Sequence, residues 1–284
     1  MNSTVQHPKR LRSFDRCQVP TPWPIKWVLK RSWAPTAMEY QALKAGMWAG
    51  DEPMDVFVES AYASGQAATH WKLLKQATQT RDGGDWDSLP IPLKALLLSA
   101  SSPPFAIDCD LVQEGILFAH RVGRLAMYVL RDMALMGGYL LSAFNQTLIL
   151  TGDLEKGAAS RLSNTSNWWL SVTECVNSNQ VGQSGFASTL NVRWVHAMVR
   201  RHIQSHPKWD GSVYGLPINQ VDMAATYLGF SVVLLLGLRL SGVLVSRDES
   251  RAVMHLWKWI AWQMGVEAQW LVEEVRQLLR DGQN

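Results

Sequence analysis

Arg193, His196 and Arg200, in the stretch NVRWVHAMVR, have side-chain types and a spacing that could do chemistry. At 100° per residue on a helix, Val192, Val195, Val199 and Ile203 form an apolar stripe. Arg193 and Arg200, seven residues apart, lie together on its flank, and His196 sits between them at the border. A neutral imidazole at an apolar edge with two guanidinium groups beside it suits haem. Iron takes the nitrogen, apolar walls take the macrocycle, and guanidinium forks take its carboxylates. A free carboxylate substrate would use the same arginines. A core-edge histidine on an ordinary amphipathic helix also explains the pattern, so spacing alone leaves all three readings open.

A second constellation lies in RLSNT. Arg161 and Thr165 are four apart on one helix face, with Asn164 on the next. Such a pair can hold an anionic group or orient a water, or can simply belong to a capped or salt-bridged surface. His120, beside arginines in FAHRVGR, is the runner-up as an iron ligand. His202 and His206 are spaced to share a metal, but a third ligand is missing and Pro207 follows at the helix end. His255 reads as packing. The zinc-protease, P-loop, dinucleotide and serine-hydrolase signatures are absent.

The elements that must position these residues are helical almost throughout, since apolar residues recur with a period near 3.6 and strand alternation is scarce. The periodicity predicts helices over 37–49, 53–63, 67–79, 92–99, 110–120, 125–150, 153–177, 185–206, 219–245, 249–265 and 266–280. Turn chemistry separates them, as in RDGGDWDSLPIP and HPKWDGSVYGLP. Asn219 is placed to cap the helix that follows YGLP, with Asp222 in its first turn. Residues 1–35, rich in proline and basic side chains, read as an irregular, mobile arm. Residues 36–284 read as one all-helical domain.

Composition narrows the function classes. The chain has 284 residues, a net charge of +3 and no basic stripe, which argues against nucleic-acid binding. Three cysteines, widely spaced, argue against a disulfide framework or a cysteine zinc site. Fourteen tryptophans and 11 methionines suit either a wide apolar cavity or a tryptophan-rich core. The N-terminus has no apolar core of a secretory signal, so a cytoplasmic location is expected. Residues 223–245 are long and apolar enough to cross a bilayer, yet contain Arg239 and three glycines, and read as a buried core helix. A peripheral membrane contact is the other use of that stretch.

In order, RLSNT, NVRWVHAMVR, GLPINQVDMAATYLGFSVVLLLGLRLSG and MHLWKWIAWQMGV resemble the latex-clearing rubber oxygenases and the fungal MpaB-type oxygenases. GYLLSAFNQTLILTG and DEPMDVFVESAY upstream fit as well, so the resemblance spans roughly residues 40–270. It implies an all-α fold with a globin-like core and additional helices, one haem b, and His196 as the proximal iron ligand. Arg193 and Arg200 would support the haem edge. Arg161 and Thr165 would lie in or beside the pocket, where Thr165 or Asn164 could hydrogen-bond dioxygen. The implied chemistry is dioxygen-dependent cleavage of a carbon–carbon double bond into carbonyl products.

Two departures from the family's pattern redirect the substrate. Rubber-cleaving members carry lysine just before the motif's threonine, where this chain has Asn164. They also use a distal glutamate as base, where this chain offers Asn145 and Gln146, with no acid between Asp132 and Asp153. The expected partners are therefore dioxygen and a small lipophilic or isoprenoid alkene rather than a polymer. A haem- or lipid-binding protein that has lost turnover is the alternative.

Overall fold

In the computed structural model, which describes residues 7–18, 34–80, 85–135, 142–152 and 158–272, the chain is all-α, with no strand among those residues. It runs α1 (Ala37–Gly46), α2 (Glu52–Ala63), α3 (Ala67–Gln79), α4 (Ile91–Ser101), α5 (Cys109–Val129), α6 (Ser142–Leu150), α7 (Ala158–Val172), α8 (Ser184–Gln204), α9 (Gln220–Leu228), α10 (Leu234–Leu240) and α11 (Arg247–Gln263). Side-chain caps fix several starts. Thr36 with Glu39, and Ser246 with Glu249, form reciprocal capping boxes ahead of α1 and α11. Asp51 and Asp108 cap α2 and α5, and Asn219 caps α9 through the Asp222 N–H as its sequence predicts.

Two apolar clusters hold the helices together. One gathers Val112, Ile116, Leu234, Met254 and Trp257 from α5, α10 and α11. The other gathers Phe57, Leu74, Leu96, Leu190 and Trp194 from α2, α3, α4 and α8. Helices α5 and α11 approach so closely at Gly115 that a Cβ there would lie 2.8 Å from the Ala252 carbonyl oxygen. Tryptophan serves packing here. Trp168, Trp169, Trp257 and Phe230 form one ring cluster with centroids 4.9–6.2 Å apart, and Trp194 packs between Phe57 and Trp71. Such ring pairs add roughly 0.5–1.5 kcal/mol each beyond area burial.

Several boundaries differ from expectation for local reasons. The helices expected over 110–120 and 125–150 are joined at their near ends. α5 bends through Gly123 at φ +48 and then widens into a π-helical turn at Leu130–Leu135. Residues 136–141 lie outside the described set. So do 153–157, at the start of the helix expected over 153–177; its described part, α7, ends at Val172. The helix expected over 266–280 is not formed at its start. Gly265, at φ +92, ends α11, and only a 3-10 turn at Ala268–Trp270 follows before residues 273–280 leave the described set.

Residues 223–240 of the expected helix over 219–245 belong to Gln220–Leu240, the one described helical run long and apolar enough to span a membrane; 241–245 form a turn and coil beyond its end. A π-helical turn at Gly229–Val233 interrupts the run. Leu234, Leu235 and Leu238 are buried against α5, where Gly237 meets Val129 and Met133, while Leu236 and Leu240 are exposed. The arm expected over 1–35 lies partly outside the described residues, at 1–6 and 19–33. Its residues 7–18 are fastened rather than loose. The Lys9 and Arg10 N–H groups donate to the Ser212 and Val213 carbonyls, and the Arg10 fork grips Asp222 at 2.7 and 3.0 Å.

Candidate functional site

Helix α8 turns a different face to the core from the one its valines suggest. Its buried residues include Phe186, Leu190, Arg193, Trp194, Ala197, Arg200 and Ile203, while Val192 and Val199 are half-buried and Val195 is 44% exposed. His196 stands on the seam, half-buried, with Nδ1 in the interior and no hydrogen-bond partner. Of the expected stripe only Ile203 is fully buried, and the three valines are not. They flank the imidazole on the open side, and the arginines lie behind it at 2% and 3% exposure.

A guanidinium that deep requires a carboxylate and filled donor positions. Arg193 makes a two-pronged pair with Asp51, with Nη2 at 2.6 Å from Oδ1, and donates Nη1 to the Gln263 carbonyl at 3.2 Å. Arg200 pairs with Asp55 and donates Nη2 to the Ile218 carbonyl at 2.8 Å. The sequence reading aimed both forks at a ligand's carboxylates; they are instead engaged by Asp51 and Asp55, which that reading did not single out. Two glycines make room. A Cβ at Gly265 would lie 2.5 Å from Asp51 Oδ2 and 2.8 Å from Arg193 Nε, and one at Gly50 2.5 Å from Asp55 Oδ2. The overlooked signal was local: two acids one turn apart in DEPMDVF, a segment otherwise apolar enough to be buried.

Burial, helped by the nearby Arg200 cation and opposed by Asp51, pushes the His196 pKa down to about 4. Its imidazole is therefore neutral, the form that ligates a metal. Burial also pushes Asp55 up to about 6, against the attraction of Arg200 and with the charge of Asp51 adding to the rise. These shifts act oppositely on folding. His196 contributes stability that is present above its unfolded pKa near 6.5 and is lost as pH falls toward 4. The raised Asp55 favours the folded state most at low pH and loses that contribution as pH rises from about 4 to 6.

Between pH 4.5 and 5.5 the two slopes cancel, each approaching about 1.4 kcal/mol per pH unit. Urea unfolding of the Asp55→Asn apoprotein is expected to show stability rising with pH more steeply than wild type. His196→Leu is expected to tilt the slope the other way. Parallel slopes in all three proteins would contradict the assignment.

The second constellation lies on α7. Arg161 and Thr165 are half-buried one turn apart, and Asn164 is exposed. Burial holds the Arg161 guanidinium below its ordinary pKa. Trp168 Nε1 donates to Thr189 Oγ1 at 3.0 Å, and Ser171 Oγ meets Ser188 Oγ at 2.5 Å, so α7 and α8 are pinned as an antiparallel pair. From the Trp168–Thr189 pin, Arg161 is seven residues back and His196 seven residues on, about 10 Å along each axis. The two constellations thus lie at matching heights on neighbouring helices.

The other histidines are occupied or exposed. His120 Nε2 is hydrogen-bonded to the Thr173 carbonyl at 2.7 Å, and His255 Nε2 accepts the Asp108 N–H at 2.9 Å. His202 and His206 are exposed or half-buried with ring centroids 6.2 Å apart. Among the described residues no three metal-ligating side chains gather. A single-imidazole site does not require such a cluster, because a macrocycle supplies the other ligands. A neutral imidazole with a buried, unpartnered nitrogen beside half-open valines fits that role.

Comparison with known proteins gives consistent relatives. The family described as ER-bound oxygenase mpaB/B'/Rubber oxygenase, catalytic domain, matches residues 120–282. A rubber oxygenase from Streptomyces sp. (strain K30) is 24% identical over 228 residues, covering 78% of this chain and 54% of its own length. A solved structure of latex clearing protein in the closed state superposes with a TM-score of 0.63 at 22% identity, covering 80% of this chain and 61% of that one. The chain thus spans little more than half the length of the curated relative it matches.

Proposed function

Since the chain belongs to the mpaB/B'/rubber oxygenase catalytic-domain family, which matches more than half of it, we propose that it is a haem b-dependent oxygenase. The reaction is cleavage of a carbon–carbon double bond by dioxygen, one alkene and one O₂ giving two carbonyls. The observation that carries this reading is His196, neutral, with Nδ1 buried and unpartnered, between half-open valines and two buried arginine pairs. His196 is the iron ligand. Haem, when bound there, supplies dioxygen activation, tuned by its axial ligand and by burial.

The chain's own residues hold and orient. Val192, Val195 and Val199 offer apolar walls beside the imidazole. Arg193 and Arg200, engaged by Asp51 and Asp55, hold α8 from behind His196 rather than reaching a ligand's carboxylates. On α7, Arg161 and Thr165 supply donors at the height of His196, with Asn164 one position before the threonine. An amide at that position cannot act as the amine of the rubber-cleaving pattern does, which favours a small lipophilic or isoprenoid alkene. A cytoplasmic enzyme with at most peripheral membrane contact belongs to the same reading.

Titration of the purified protein with hemin is expected to give a saturable Soret band at one hemin per chain, and no band would overturn the proposal. Oxygen uptake is then measured with geranyl and farnesyl compounds and with polyisoprene latex, and products are identified. Uptake with the small alkenes and carbonyl products is expected. Hemin binding without uptake on any of them supports the second reading, a haem-binding protein without turnover, which Asn164 favours.

A further inference from the structure

We infer that Asp51 and Asp55 are positioning residues for His196, the carboxylate pair at the head of α2 that sets the rotation of α8 and hence the direction of the imidazole. The inference rests on the proposed role of His196 as iron ligand. Asp51 is both the N-cap of α2 and the partner of Arg193, and Asp55, one turn on, is the partner of Arg200. The two arginines stand three residues before and four after His196, so both turns adjoining the imidazole are tied to a helix some 140 residues away in sequence.

Further anchors converge on the same forks. The Gln263 carbonyl at the end of α11 takes Arg193, and the Ile218 carbonyl ahead of α9 takes Arg200. Gln220 closes the ring by donating to the Gly50 and Gly265 carbonyls at 2.7 and 2.9 Å, next to the two glycines whose missing side chains admit the pairs. A rotation of α8 by one residue would turn the imidazole 100° and break the bonds that Arg193 and Arg200 make. Such a frame is what a ligand needs when its placement must be held to within about 0.5 Å.

The test uses Asp51→Asn and Asp55→Asn, with Leu93→Ala as a control. Leu93 is fully buried in the apolar cluster under α8 and carries no charge, so its truncation loosens the same region by packing alone. In the apoprotein, the His196 ring resonance is followed in histidine-labelled protein and assigned by its loss in His196→Gln. In hemin-loaded protein, the rate of hemin loss to a scavenger and the iron midpoint potential are measured. Both Asn variants are expected to shift or broaden the His196 resonance, to speed hemin loss about tenfold or more, and to move the potential. The control is expected to lower Tm with neither signature.

Folded Asn variants with an unmoved His196 resonance overturn the inference, as does hemin loss no faster than in the control. If Asp51→Asn fails to fold, Asp55→Asn, whose carboxylate is partly exposed, carries the test. If wild type takes up no hemin, the haem reading falls, and the apoprotein resonance decides the positioning claim by itself.

Discussion

Replacing His196 by alanine is expected to abolish the Soret band that hemin develops with the wild-type protein and to weaken hemin retention by more than about 100-fold. Loss of a group that merely orients a metal ligand costs 10–100-fold in affinity, and loss of the ligand itself should exceed that. His120 Nε2 is bonded to the Thr173 carbonyl and His255 Nε2 accepts the Asp108 N–H, so neither ring is an unpartnered imidazole like His196. His120→Ala and His255→Ala are therefore expected to keep the band. The low proton affinity of His196 adds a second signature. Protons compete with iron for the imidazole only as pH nears 4, so the wild-type band should persist well below pH 6 and collapse near pH 4. A band that survives in His196→Ala, or that wild type loses at pH 6, would remove this residue from the site.

The sequence carried the helices because their signals are local. Thr36 with Glu39, Ser246 with Glu249, and Asn219 with Asp222 each settle a helix start within four residues. The apolar stretch was legible as helical as far as Leu240 for a similar reason, and Gly237 lets it approach α5 closely. The orientation of α8 was not legible. A wheel gives the valines one face, but whether that face or the neighbouring one meets the core depends on what stands opposite. Opposite stand Asp51 and Asp55, 142 and 145 residues away, and they draw the arginine face inward. Gly50 and Gly265 were equally silent, since a glycine that leaves space for a distant ion pair looks like any turn glycine.

The second large effect concerns the Arg193–Asp51 pair. Asp51→Leu is expected to destabilise the apoprotein by about 3–5 kcal/mol in urea unfolding, because it leaves the Arg193 guanidinium buried and uncompensated. Leucine shares the branching of aspartate, but its methyl groups cannot approach the guanidinium as the carboxylate oxygens do, so some crowding adds to the loss. Arg193→Met in the same chain removes the stranded charge. The double variant is then expected to recover most of the loss and to remain about 1 kcal/mol below wild type, the cost of the α2 cap that Asp51 provides through the Met54 N–H. Double and single variants equally destabilised would mean that the penalty comes from lost packing rather than from a bare charge. Recovery of stability with hemin loss still fast would separate the two roles of the pair. Apolar neighbours can replace it as a contribution to folding, whereas only the charged fork, tied to Gln263 and to the head of α2, holds α8 at the angle that His196 requires.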